Sequence, residues 1–209
     1  MNNLKYQKDY WKSFITSSQE DMLARDLNSS WDENSKSYSR PTRIPEPYLD
    51  YIKENTELNK VVDFGVGLGR NQQYLKSIFN EVQGFDLPEM IEKYKKTASK
   101  DSKLIHDASE FDDNYSLLYE TTVFQHMPPD EVIFYLTYLS YRTKYYFSYT
   151  RSYNDFFRNF KNNTGGVNMY HLIMATNCWE PISFSNNEIN SLNDETHYFA
   201  LYKSKNKNA

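Results

Sequence analysis

The chain has 209 residues, 39% of them hydrophobic and 25% charged, with a formal net charge of −4. Those values suit one soluble domain with a substantial core and exclude disorder, collagen or coiled coil as a description of the whole. The negative balance gives no general pull toward nucleic acid or anionic membrane, and the lone Cys178 excludes an internal disulfide or a cysteine-based zinc site.

Residues 1–44 are polar and mixed. Ser17 and Glu20 fit a capping box before Met22, Leu23 and Leu27, which predicts a short helix there, and 29–43 reads as a loop. Pro45 or Pro47 opens a helix carrying Tyr48, Leu49 and Ile52 on one face. Short apolar runs then alternate with helical patterns. Strands are expected at 61–64, 82–85, 103–106, 116–120 and 145–149, and helices at 70–80, 89–97 and 130–140. The nine residues from Asp107 to Tyr115 are too few for a full crossover, so they read as a loop with at most one helical turn. A helix over 167–176 and strands at 182–185 and 197–202 follow, with a tail at 205–209 expected to fray. Strands alternating with helices imply a parallel sheet with right-handed crossovers. The first residues form no apolar signal region, and no stretch approaches the roughly 18 apolar residues of a membrane span, so a cytoplasmic protein is expected.

Glycine is scarce, six in the whole chain, yet Gly65, Gly67 and Gly69 fall within one turn. Val61-Val62-Asp63-Phe64 runs into that turn, and a helix follows. Such a turn lets a ligand approach the backbone, and the helix start offers unpaired N–H groups. The ligand is expected beyond the carboxyl ends of the strands, where strand order reverses. A dinucleotide fingerprint would need glycine at position 70 or 72, where Arg70 and Gln72 stand.

The turn Asp63-Phe64-Gly65-Val66-Gly67-Leu68-Gly69 resembles the first motif of the class I S-adenosylmethionine (SAM)-dependent methyltransferases. Val82-Gln83-Gly84-Phe85-Asp86 resembles that family's second strand with its ribose-binding acid. Ile105-His106-Asp107-Ala108 resembles the end of the third strand, at the adenine edge. Leu117 to Pro129, containing Glu120, Thr121, Gln125 and His126, resembles the fourth strand and the loop after it. The likeness covers roughly residues 58–150, with Ser116 where the family often has an acid. It implies an α/β fold: a seven-stranded, mostly parallel Rossmann-like sheet with helices on both faces and an N-terminal helical lid. The lid would be residues 1–44 and the SAM-binding domain 45–204.

The resemblance implies SAM as cofactor and S-adenosylhomocysteine as product. It points to Asp63, Gly65, Gly67, Gly69, Arg70, Asp86, Leu87, Asp107, Ala108, Glu120 and Thr121 as the cofactor site. Asp86 also fits a helix cap, and Asp107 a turn cap. His126 is the candidate catalytic base, and it equally fits loop packing or a cap on the next helix. Trp31 and Tyr38, with Arg40 and Arg43, precede the core where this family often builds a lid. Tyr149, Arg151 and His171, with Tyr153, Tyr170 and Trp179, follow the fifth strand as candidate acceptor-pocket walls, although any one of these aromatics fits the core better than a pocket. The expected activity is methyl transfer to a small polar or aromatic acceptor. A nucleic-acid methyltransferase is disfavoured, because Met127-Pro128-Pro129-Asp130 falls late, at a helix start, and lacks the stacking tyrosine of a base-amino enzyme. A non-catalytic SAM-binding module and another use of SAM remain alternatives.

Overall fold

The computed structural model describes residues 41–96, 98, 100–153, 169–190 and 195–206. The predicted helix near Ser17, residues 1–40 of the expected lid and, with them, Trp31, Tyr38 and Arg40 lie outside the described residues. Helix α1 (Glu46–Asn55) starts after Pro45, with Pro47 in its first turn, and buries Tyr48 and Ile52 one turn apart. Then come β1 (Lys60–Phe64), α2 (Gln72–Lys76), β2 (Glu81–Phe85), α3 (Pro88–Tyr94) and β3 (Lys103–Ile105). A single 3₁₀ turn, Ala108–Glu110, joins β3 to β4 (Tyr115–Thr121), as the short spacing requires. A second 3₁₀ turn, Phe124–His126, leads to α4 (Pro129–Ser140), β5 (Thr143–Tyr153), α5 (Met169–Ala175), β6 (Trp179–Asn190) and β7 (Glu195–Ser204).

The seven strands form one sheet in the order β3-β2-β1-β4-β5-β7-β6. The first five are parallel, while β7 pairs antiparallel with both β5 and β6. Strand order reverses between β1 and β4, so the carboxyl ends of those two strands frame the crevice in which α/β sheets bind ligands. Alternate residues feed two apolar layers. Val62, Phe64, Leu118 and Tyr146 pack with Leu136 of α4 and Trp179, whereas Val61, Leu117 and Phe147 pack with Ile52 of α1 and Leu75 of α2. All seven residues of β4 are buried, as befits a central strand covered on both faces.

The differences from the sequence reading are local. Helix α2 has five residues instead of the eleven expected over 70–80. The turn holds Gly69 to Asn71, and Asn80 already pairs with Leu58 to start β2. So short a helix adds little dipole, and the ligand-binding contribution expected from its N-terminus falls to the turn itself. Strands β5, β6 and β7 are longer than predicted because their outer parts pair with one another beyond the parallel sheet. Lys205 and Asn206, expected in a frayed tail, are tied to the Cys178 carbonyl and to Ser140. The fold also takes hold before residue 45: Ile44 is buried, and its N–H donates to the Tyr74 hydroxyl at 2.9 Å. Among the described residues no helix is long and apolar enough to cross a membrane.

Candidate cofactor site

The glycine turn is fastened to the end of β2. The N–H groups of Gly65 and Val66 donate to the Phe85 carbonyl, and Gly67 N–H donates to Asp86 Oδ2 at 2.7 Å. The other oxygen, Oδ1, accepts Leu87 N–H at 2.7 Å. Burial pushes the Asp86 carboxyl up to about 6, against the two N–H bonds that hold it down. Each oxygen keeps a second acceptor direction, so the carboxylate that closes the turn can also take a pair of ligand hydroxyls.

The three glycines do different work, although all have positive φ. A β-carbon at Gly65 would lie 2.2 Å from Val123, and one at Gly69 would lie 2.1 Å from the Tyr94 hydroxyl. Both are packing positions. A β-carbon at Gly67 would meet nothing within 4 Å, because that α-carbon faces open space. Gly67 also lines a cavity of about 290 Å³ bounded by residues at the ends of β1, β2 and β4. Its floor is Gly65 to Leu68 with Phe64 and Phe85; Asp86 and Leu87 line one side, and Thr121, Thr122 and His126 another.

Of the residues expected at the cofactor, the cavity gathers Gly65, Gly67, Arg70, Asp86, Leu87 and Thr121, and it also gathers His126. Five others stand off its walls. Gly69 packs on Tyr94. Asp63 is buried beneath the turn and accepts Gln72 Nε2 at 2.9 Å, and burial pushes its carboxyl up to about 7. Asp107 is exposed and caps the 3₁₀ turn; the Ser109 hydroxyl and the Ser109 N–H both donate to its Oδ1 and hold its pKa below the usual carboxylate value, while Ala108 continues that turn. The turn-cap reading of Asp107 therefore describes its position, and the cavity wall at this edge is His106. The strand ends one residue early, at Ile105, which shifts the neighbouring side chains.

Glu120 is fully buried and does not face the cavity. Its Oε1 accepts the N–H groups of Val123 and Phe124, and its Oε2 accepts the hydroxyls of Tyr146 and Ser148. Burial raises its carboxyl to about 7 even so. The residue folds the chain back at the end of β4, where Thr122 takes a φ of 61°, and so brings Val123 onto Gly65 and His126 to the cavity. Ser116 does comparable work at the opposite end of β4, donating to the Glu57 carbonyl and accepting Asn59 N–H.

The expected acceptor walls do not converge on this cavity. Tyr149 stacks on Phe199, His171 is exposed on α5, and Trp179 is core, donating to the Leu136 carbonyl. Arg151 lies in β5, and its side chain is outside the described residues, as is that of Tyr153. The sequence reading passed over Asn71, Met127, Glu131 and Tyr135, which do line the cavity. Glu131 and Tyr135 are one turn apart on α4, each one residue before the buried Val132 and Leu136.

No protein-family model matches the chain, and neither does any curated protein sequence. Solved structures do match its fold. Magnesium protoporphyrin IX methyltransferase of Synechocystis PCC 6803, crystallised with SAM, is 12% identical with a TM-score of 0.59, over 95% of this chain and 97% of that one. A SAM-dependent methyltransferase of Clostridium acetobutylicum ATCC 824 is 12% identical with a TM-score of 0.60, over 93% and 98%. The chain has the class I SAM-dependent methyltransferase fold. The N-methyltransferase NodS of Bradyrhizobium japonicum WM9, in complex with S-adenosylhomocysteine, matches over 88% of this chain and 97% of its own, with a TM-score of 0.58 at 11% identity. At such identities the likeness speaks for the fold.

Proposed function

We propose that the chain is a SAM-dependent methyltransferase acting on a small polar or aromatic acceptor. The observation that carries this reading is the open α-carbon of Gly67 over a cavity bounded by Asp86, at the point where the strand order reverses. Gly65, Gly67, Arg70, Asp86, Leu87 and Thr121 would hold the cofactor. Asp86 offers two acceptor oxygens to a ribose diol, and Phe64, Phe85 and Leu87 offer apolar surface. When bound, SAM supplies an activated methyl group on a sulfonium.

The residues of the chain have little covalent work to do. The turn and the loop after β4 fix the geometry and exclude water, and alignment dominates the rate of such a transfer. His126 stands on the cavity wall, where a group that hydrogen-bonds an acceptor is needed, and proton removal matters only for an acceptor that must lose one. The cavity bounded by the described residues, about 290 Å³, lies at the lower edge of the range for ligand pockets and is filled by a cofactor of this size alone. Pro128 and Pro129 open α4, so they form a helix start and not a base-binding clamp.

Calorimetry with SAM, followed by detection of S-adenosylhomocysteine with a panel of small acceptors, tests the reading. Binding at or below about 1 mM is expected, in the ordinary range for enzyme ligands. Absence of binding at that concentration overturns the cofactor assignment, and binding without turnover of any acceptor favours the non-catalytic module. Gly67→Ala separates fold from site. Its melting temperature should fall only by the strain of an alanine at positive φ, roughly 1–2 kcal/mol, while SAM affinity falls about tenfold or more. Gly69→Ala and Gly65→Ala carry the same strain and about 1–3 kcal/mol more from overpacking. If Gly67→Ala binds SAM normally, the ligand does not lie against the turn.

A further inference from the structure

Helix α4 carries apolar residues on both of its sides. Val132, Leu136 and Leu139 form the buried seam against the sheet. On the opposite side Phe134, Thr137 and Tyr141 repeat the spacing of three and four residues, in line with Asp130 and flanked by Ile133 and Tyr138. No charged residue occurs between Glu131 and Arg142. A surface helix normally turns a polar face to water, and one that is apolar all round is covered. Among the described residues the exposed large apolar side chains are Ile133, Phe134, Tyr141 and Tyr170, and Phe134 and Tyr141 keep 50% and 53% of their surface. The first three belong to α4 and its C-cap, and Tyr170 to α5, which packs against α4.

The face is already ordered. Phe134 stacks on Tyr138 with ring centres 5.7 Å apart and meets Tyr135 edge-on, and the Arg142 guanidinium lies 3.9 Å from the centre of the Tyr138 ring. Rings held in this way lose little freedom on association. The two ends of the face differ in charge. Asp130 stands at one end, and at the other come Arg142, paired through Nε with Asp113 at 3.4 Å, and then Lys144. Strand alternation sets Lys144 on the side of β5 that carries Tyr146, the side covered by α4. Asp130 and Lys144 are exposed, and neither makes an ion pair among the described residues.

We propose that this face binds a second copy of the chain, α4 against α4 and antiparallel. A two-fold axis between Thr137 and Tyr138 sets Phe134 of each copy on Tyr141 of the other. It also brings Asp130 of each toward Lys144 of the other, so that the apolar centre and both charged ends match at once. The opposed helix dipoles favour the same direction. A membrane or a partner of a single sign is repelled at one end of the face. The competing occupant is the chain's own segment 1–40. The described residues that follow it lead elsewhere: Thr42 and Ile44 are held by Asn71, Tyr119 and Tyr74, on the side of the sheet where α1 and α2 pack, opposite α4. A twelve-residue helix is only about 18 Å long, so the interface is small and the dimer reversible.

Analytical ultracentrifugation of the full chain tests this. The wild type should pass from monomer to dimer between about 1 and 100 µM, the range for an interface of this size. Phe134→Glu should weaken the dimer about tenfold or more. Adding Tyr141→Lys to Phe134→Glu should restore it, because the antiparallel register sets the two new charges against each other across the axis. A parallel pair would set like charges together and would stay apart. Both positions are exposed, so the melting temperature of each variant monomer should match that of the wild-type monomer. A wild type that stays monomeric throughout, a dimer indifferent to Phe134→Glu, or a failure of Tyr141→Lys to rescue overturns the proposal. A Phe134→Glu monomer that melts well below the wild-type monomer also overturns it, since the face would then be covered by the chain itself. No cofactor enters the experiment, so its outcome is independent of whether SAM binds.

Discussion

Asp86→Ala should lose roughly a hundredfold or more in SAM affinity by titration calorimetry. The carboxylate is charged or nearly so at neutral pH, and hydrogen bonds to charged groups contribute about 1.5–3 kcal/mol each, so two ribose contacts correspond to roughly 3 kcal/mol at the least. The substitution also releases Gly67 N–H and Leu87 N–H, the bonds that tie the glycine turn to the end of β2. Asp86→Asn should fare little better, because one face of the amide would set N–H against N–H. The thermal midpoint of both variants should move far less than their affinity, since water can reach the freed groups from the cavity. Unchanged affinity in Asp86→Ala would remove the acid from the cofactor site and leave it only as the fastener of the turn.

The largest loss of stability is expected at Glu120. Glu120→Ala strands four donors, the N–H groups of Val123 and Phe124 and the hydroxyls of Tyr146 and Ser148, and leaves a hole beneath the loop. A buried donor left unsatisfied costs about 1–3 kcal/mol, so several together cost roughly 3–5 kcal/mol, which for a domain of this size lowers the melting temperature by roughly 10 °C. Glu120→Gln should behave differently. Its oxygen still accepts the two N–H groups, and its NH₂ group donates to hydroxyls that can reverse their roles.

The pH dependence follows from the same carboxyl. Burial lifts it from 4.5 to about 7, so between those values the folded state binds more protons than the unfolded one, and stability falls as pH rises through that window. Asp63 has the same sign over a similar window, and Asp86 over one that ends near 6. Wild-type protein should therefore melt higher at pH 5 than at pH 8, by up to about 3 kcal/mol from Glu120 alone. Glu120→Gln should lose that share of the slope and be no less stable than wild type at pH 8. An alanine variant that melts like the glutamine variant would mean that the carboxyl does not organise the loop.

What the sequence disclosed and what it withheld divide along local and non-local causes. The apolar runs at 61–64 and 82–85, the glycines between them and the short link from Asp107 to Tyr115 are local patterns, and each became the element expected. The role of Glu120 depends on Tyr146 and Ser148, which reach it only because β5 pairs with β4. Nothing around Glu120 in the chain announces those partners, so the resemblance assigned it to the cofactor site instead. The same holds for Gly69: its neighbour Tyr94 lies on α3, and only their approach distinguishes a packing glycine from the ligand-facing Gly67. At Asp107 the local rule was sufficient, since an aspartate after a strand caps the next turn, and the resemblance had suggested a further role. The aromatic residues after β5 were candidates for pocket walls that fitted the core better, and Trp179 and Tyr149 do pack within the fold, the usual fate of large rings in a chain so rich in them.

The reversal of strand order between β1 and β4 also governs when the cavity comes into being. Val61 must find Leu117 before Thr121 and His126 can stand opposite Gly67, whereas β1 and β2, joined through the glycine turn, can pair early. Half the cavity is thus a local product, and the other half waits for a long loop to close, a slow step in folding. A ligand that needs both halves has no affinity for the partly paired chain. It adds its binding free energy only to the finished one and draws the population there by mass action. The melting temperature should therefore rise with the concentration of that ligand.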